Sequence, residues 1–468
     1  MVLTEAVRRK SFVLILLFVL GAPAIAFCQD TVAPVLYDLN VKIEPEHGSI
    51  AVQGEFDIPI KDSNAKELVF DLHETFTISE LRVDGKKADF SFRTKEFSFL
   101  NPATRTVVVS LPADPSRKTA HVKISYAGPL KVLPEFGAEP NQKLALDDQI
   151  NSRMVELASY SSWYPQFPFG QPLQSKLTVS LPQGWTTVCS GKKLDERVQK
   201  GRTVTRWSSG NDTDILVLAS KNYRIKSATQ AGTLIEIYHT QMPEAFIDRE
   251  FKQISGVLEL YSQQLGRTSI PGDTVKHVFS PKRKGQGLAG ISRPGMIATS
   301  EGRTLDSLAG DPNFSLFQGI AHEIAHFWWN FGAGQGDWVN EAFAEYFSVV
   351  AVQKISSDED FRKVLASYRR NVGELPTDAP SLSKVPFAGG QVNWVVRYKK
   401  GALMLNLLRE TMGDDKFFAA ARSFFQTYKG QRIGTAEFRN FWKNELGEKA
   451  DLIDACLDTP GRAVCGSE

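Results

Sequence analysis

Apolar and polar residues alternate in short runs from about residue 35 to residue 223. The runs include 36–43, 50–60, 67–71, 106–111, 121–126, 176–181, 203–207 and 215–220. Alternation of this kind predicts strands with one face buried. Turn signals separate them, among them Asp84-Gly85, Ala127-Gly128-Pro129 and Pro182-Gln183-Gly184. An all-β domain over residues 34–225 follows, with antiparallel sheets arranged as a sandwich or saddle.

The period changes after about residue 244. Residues 246–265 have helical spacing and stop at Gly266. Runs 275–279 and 295–299 predict strands around a loop at 285–290. Helical spacing returns over 314–330, 338–355, 358–372, 392–412, 415–428 and 435–445. The fold class expected is therefore α+β. A mostly helical domain with a small sheet spans 240–450, a tail occupies 451–468, and the linker falls between 223 and 243.

The first residues follow a different pattern. Arg8, Arg9 and Lys10 precede an almost wholly apolar run from Ser11 to Gly21, and Ala24-Ile25-Ala26 is a small-x-small triplet. These are the parts of a secretory signal over residues 1–26, cleaved after Ala26. Export to the periplasm or the exterior is expected. The alternative is an anchor through residues 11–27, for which the run is short and Pro23 interrupts its end. Cys28 invites a lipoprotein reading, but the bulky Phe27 precedes it.

Composition narrows the class. The chain has 468 residues, enough for two or three domains at roughly 100–200 residues each. A net charge of +2 gives no electrostatic case for a nucleic acid partner. Outside the leader no run is long and apolar enough for a membrane span. Four cysteines are too few for a disulfide framework. Cys456 and Cys465 are close enough in sequence to close a small loop, while Cys28 and Cys189 have no evident partner.

The chemistry concentrates in His322-Glu323-Ile324-Ala325-His326. Histidines four apart on a helix share one face and can bind one metal ion. Only seven histidines occur in the chain, so a chance match to this pattern is rarer than about one in a hundred. Neutral imidazoles suit a single Zn²⁺, and a catalytic zinc needs a third protein ligand and an open position for water. Glu323 is placed to reach that water. Glu341 and Glu345 both qualify as third ligand, because they lie four apart on a later helix. Spacing does not choose between them.

Followed by Trp338-Val339-Asn340-Glu341-Ala342-Phe343-Ala344, the histidine segment resembles the aminopeptidase N-like gluzincin zinc metallopeptidases, whose catalytic domain is thermolysin-like. Their pattern is H-E-x-x-H, then W-L-N-E-G-F-A. The resemblance makes Glu341 the third ligand and Glu323 the catalytic base, and leaves Glu345 to orient a histidine. The family usually has 18 residues between the second histidine and the ligand; here 14 precede Glu341 and 18 precede Glu345. Tyr398-Lys399-Lys400-Gly401-Ala402 is similar to the family's Y-x-K-G-A, which implies that Tyr398 stabilises an oxyanion. Trp163-Tyr164-Pro165-Gln166-Phe167 is weakly similar to the family's first domain.

One feature departs from the family. Its aminopeptidases carry G-x-M-E-N, whose glutamate holds the substrate's α-ammonium. Here the stretch reads Gly290-Ile291-Ser292-Arg293-Pro294, with Arg293 at the glutamate position. A cation there repels an ammonium. The expectation is a peptidase of peptide or protein substrates without a strict need for a free N-terminus, or one that prefers an anion near Arg293. The alternatives are an aminopeptidase with another amine anchor such as Glu301, a non-catalytic zinc-binding scaffold, and hydrolysis of a non-peptide substrate.

Overall fold

The computed structural model describes residues 33–466 except 61, 94–103, 113, 131–148, 168–170, 283–289, 311–313, 332–336 and 388–389. The leader, Cys28, most of the loop expected at 285–290 and residues 332–336 therefore lie outside the described residues.

Strand alternation is realised over the first half. An eight-stranded sheet runs, edge to edge, Lys192–Gln199, Arg202–Asp212, Leu173–Pro182, Val35–Glu44, Ser49–Pro59, Thr119–Pro129, Thr77–Val83 and Lys86–Lys87. Val35–Glu44 is parallel to Leu173–Pro182 and antiparallel to Ser49–Pro59. Its Val35, Tyr37, Leu39, Val41 and Ile43 all point inward, as a period of two requires. A three-stranded and a four-stranded sheet complete the β-rich part. Tyr37, Phe56, Phe70 and Trp163 fill the core between them.

The stretch expected as a linker is instead a hairpin. Arg224–Gln230 pairs with Thr233–His239 and begins a five-stranded sheet. The order continues through Thr274–Ser280 and Met296–Ser300 to the edge strand Ile291–Arg293. Arg224–Gln230 is an exposed edge, but the inner strands contribute to two cores. Ile235, Ile237, Val275, Phe279 and Ile297 join the helical core. Tyr238, Val278, Ile291, Met296 and Ala298 join the β-domain core. Sharing one sheet between two cores makes the chain from residue 33 onward one compact unit. It also accounts for the difference from the expected linker: in the Thr-Leu-Ile-Glu-Ile-Tyr run Ile235 and Ile237 serve one core and Tyr238 the other, so the apolar positions do not simply alternate.

Ten α-helices are described. α1 (Glu244–Leu265) and α2 (Glu301–Gly310) precede α3 (Phe314–Ala325) and α4 (Asp337–Ala351). α5 (Asp358–Gly373), α6 (Gly390–Val395) and α7 (Gly401–Met412) follow, then α8 (Asp414–Tyr428), α9 (Thr435–Leu446) and α10 (Asp451–Asp458). The 314–330 helix is shorter than expected: α3 ends at Ala325, and His326 opens a turn closed by Phe327 N–H to Ile324 O at 3.0 Å. The expected tail is packed, since α10 buries Ile453, Cys456 and Leu457 in the helical core. Cys456 is disulfide-bonded to Cys465, and Cys189 is a buried free thiol.

Gly401 decides how close α7 sits to α4. A methyl group there would overlap the Ala342 side chain, so only glycine allows this approach. α4 itself is almost entirely buried from Asp337 to Ala351. It carries both glutamates of interest into the centre of the helical domain.

Candidate metal centre

α3 and α4 bring the sequence-predicted donors together. His322 and His326 present their Nε2 atoms 3.2 Å apart. Glu341 places Oε2 at 3.4 Å from His322 Nε2 and 3.5 Å from His326 Nε2. Atoms bound at about 2.0–2.1 Å around a tetrahedral ion stand roughly 3.3 Å from one another. These donors therefore fit one Zn²⁺. A second observation agrees: Glu341 Oε2 is buried and receives no hydrogen bond, which is costly for a carboxylate unless a cation meets it.

The electrostatics point the same way. Burial pulls the His322 pKa down, but Glu341 and Glu345 outweigh it and push it up to about 10. Burial likewise opposes ionisation of Glu341, and the two histidines overcome it and hold the carboxyl well below the usual range. The surroundings thus favour positive charge between these three side chains.

Glu345 does not converge with them. Its Oε2 lies 2.8 Å from His322 Nδ1, on the far side of the ring from Nε2. Of the two glutamates that spacing left open, Glu341 is the one grouped with both histidines. His326 Nδ1 is fixed separately, 3.1 Å from the Trp329 carbonyl.

Glu323 turns toward the edge strand of the small sheet. A methyl on Gly290 would overlap its carboxylate, and Ser292 donates to the Glu323 carbonyl at 2.8 Å. Burial raises the Glu323 pKa, partly offset by His322 and His326. Tyr398 stacks on His322, with centroids 5.6 Å apart and planes at 10°. Burial pushes its phenol well above the ordinary value, so it stays a hydrogen-bond donor.

Arg293 lies beside this group but is already paired. Its Nη2 is 2.6 Å from Asp214 Oδ2, and its Nη1 donates to the Ser292 carbonyl at 2.6 Å. Ser159 and Tyr164 also donate to Asp214. Glu301, considered as an amine anchor, is fully buried and accepts from Thr240 and Gln241. Glu156 is bonded to Lys282 at 2.8 Å and to Ser280.

Sequence reasoning missed Asp214 and the cations behind the glutamates, Arg397 and Lys399. Lys399 stands inside the stretch that carried Tyr398, but nothing in its spacing showed that it faces α4.

Comparison with known proteins fits this geometry. Residues 295–458 match the model of the peptidase family M1 domain. That stretch resembles an M1 peptidase domain. Its sequence is 22% identical over 445 residues to Aminopeptidase 2 of Candida albicans, covering 89% of the chain and 46% of that protein. It is 23% identical over 164 residues to human Aminopeptidase O, covering 28% of the chain and 20% of that protein. The chain thus spans about half the length of the first relative and less of the second. The fold extends further than the sequence match. An M1 zinc metallopeptidase from Deinococcus radiodurans superposes with a TM-score of 0.68 at 18% identity, covering 93% of this chain and 95% of that one. Yeast LTA4 hydrolase in complex with bestatin gives 0.67 at 17% identity, covering 94% and 71%.

Asp212 beside the Arg293–Asp214 pair yields a pH prediction. Burial raises its pKa from 3.8 to about 6, partly offset by Arg293. A carboxyl raised in the fold supports the folded state while protonated. That support is full below pH 3.8 and is lost as pH rises to about 6. Asp212→Asn should stabilise the protein by roughly 1–3 kcal/mol near pH 7.5. In urea unfolding the gain should shrink at pH 4.5; an equal gain at both would contradict the assignment.

Proposed function

We propose that this chain is a zinc-dependent metallopeptidase that hydrolyses peptide bonds with metal-activated water. The observation that carries this reading is the convergence of His322, His326 and Glu341 with Glu323 beside them. His322 Nε2, His326 Nε2 and Glu341 Oε2 would hold the ion. A zinc ion bound there would lower the pKa of a water toward roughly 7 and polarise a carbonyl. Glu323 removes the water's proton as it attacks and delivers it to the departing amine. Tyr398 donates a hydrogen bond to the oxyanion as negative charge develops. Glu345 orients His322 through Nδ1, which leaves Nε2 as the ligand atom.

Support comes from the relatives, which are named aminopeptidases, and from a variant of the Deinococcus enzyme solved with a Tyr-Ser-Ala substrate. Glu323→Gln is expected to bind zinc with near-wild-type stoichiometry and to lose about 10²–10⁴-fold in turnover. Full activity in that variant would refute the mechanism.

The finer reading concerns the substrate's N-terminus. Among the described residues near the edge strand, Asp214, Glu156 and Glu301 are each engaged by protein donors. Arg293 is likewise held by Asp214, which leaves less reason to expect a substrate anion on it. We read the site as one without a strict requirement for a free α-ammonium. The names of the relatives favour the competing reading, an aminopeptidase with another anchor. Matched peptides with free and acetylated N-termini separate them. Cleavage rates within about tenfold support our reading, and a preference beyond about a hundredfold for the free amine sinks it.

We also read residues 1–26 as an export signal. The Cys456–Cys465 disulfide suits an oxidising compartment. The mature exported protein should then begin at Phe27, and N-terminal sequencing that finds Met1 or Val2 would overturn this.

A further inference from the structure

Between α6 and α7 the helix widens into a π-turn over Val396–Lys400. On a regular α-helix neighbouring side chains point about 100° apart, so three in a row cannot all face one partner. Here three in a row reach the neighbouring helices α3 and α4. Arg397 Nη2 lies 3.0 Å from Asp337 Oδ2 and 3.8 Å from Glu341 Oε1. Tyr398 stacks on His322. Lys399 Nζ is bonded to Glu345 Oε1. The wider turn is the kind of local irregularity that recurs where helices serve a site.

The facing stripe is acidic. Asp337, Glu341 and Glu345 follow one another at intervals of four on α4, and all three are largely enclosed. Each glutamate divides its two oxygens in the same way. Glu341 turns Oε1 toward Arg397 and Oε2 toward the histidines. Glu345 gives Oε1 to Lys399, Tyr368 and Gln318, and Oε2 to His322 Nδ1.

We propose that Lys399 is a positioning residue for the metal site: by holding Glu345 Oε1 it aims Oε2 at His322 Nδ1 and so fixes the ring that presents Nε2. Its place is closely determined. The ammonium lies 4.3 Å from the Tyr368 ring centroid and 4.7 Å from that of Trp394, and the side chain is 12% exposed. Tyr368 and Gln318 hold Glu345 from α5 and α3, but both are neutral. Among the described residues, Lys399 is the lysine bonded to that carboxylate. The effect would reach the metal through two contacts, the Lys399–Glu345 bond and the close approach of Glu345 Oε2 to His322 Nδ1 at 2.8 Å.

This proposal rests on the zinc reading above, and its test separates the two. Zinc dissociation constants are measured by chelator competition, and visible spectra are taken on Co²⁺-substituted protein. Lys399→Met should weaken zinc binding by about 10–100-fold and shift the cobalt bands. Lys399→Arg should recover most of both. In a Glu345→Gln background Lys399→Met should change zinc affinity by less than about twofold, because the partner is already gone. If Lys399→Met does not fold, Lys399→Gln serves, with an expected loss of about 3–30-fold. Wild-type affinity and an unshifted cobalt spectrum in the folded variant overturn the proposal, as does an equal loss in the Glu345→Gln background. A wild-type chain that holds no zinc would overturn the metal reading itself.

Discussion

Everything at the centre of this molecule answers to one electrostatic constraint: three carboxylates share one buried face of α4. Asp337, Glu341 and Glu345 are spaced so that they crowd one another, and burial denies them water. Each needs positive charge from a neighbouring element. His322 supplies it from α3 and His326 from the turn that follows, and Arg397 and Lys399 from the turn before α7. Removing one member of such a buried pair costs about 3–5 kcal/mol, because it strands the other. The packing of three helices is therefore tied to the same contacts that arrange a metal-binding triad. Gly401 permits the closeness on which those contacts depend.

The second organising feature is the small sheet. Its two faces belong to different cores, so the β-rich part and the helical part are joined by a rigid layer rather than a tether. The sheet's free edge, Ile291–Arg293, runs past Glu323, with Gly290 and Ser292 both against it. An extended chain could lie along that edge. At the same place Arg293 reaches across to Asp214 in the β-rich part. The residue that breaks the family pattern is thus a tie between the two halves, and its charge is balanced inside the protein.

Much of this was legible in the sequence where local pattern and chemistry coincide. Period-two runs gave the strands of the first half, and the histidine spacing gave the site. What escaped depends on the third dimension. The hairpin Arg224–His239 shows little alternation because Arg224–Gln230 is largely exposed while Ile235, Ile237 and Tyr238 serve two cores. α10 was passed over as a tail, although Ile453, Cys456 and Leu457 form a short apolar stripe. The choice between Glu341 and Glu345 could not come from spacing, since both lie on one helix face; only the direction of the carboxylates separates them. Asp214 carried no local signal, because its partner is 79 positions away. Lys399 was visible in the sequence, but its bond to Glu345 depends on how α4 and the turn before α7 pack, which local pattern does not carry.

The central claim is that one zinc ion sits between His322, His326 and Glu341, with Glu345 outside the coordination sphere. Anomalous diffraction recorded on both sides of the zinc absorption edge tests it most directly. The account predicts one strong zinc-specific peak within bonding distance of His322 Nε2, His326 Nε2 and Glu341 Oε2. A peak that Glu345 coordinates, or zinc-loaded crystals with no peak at these three atoms, would contradict it.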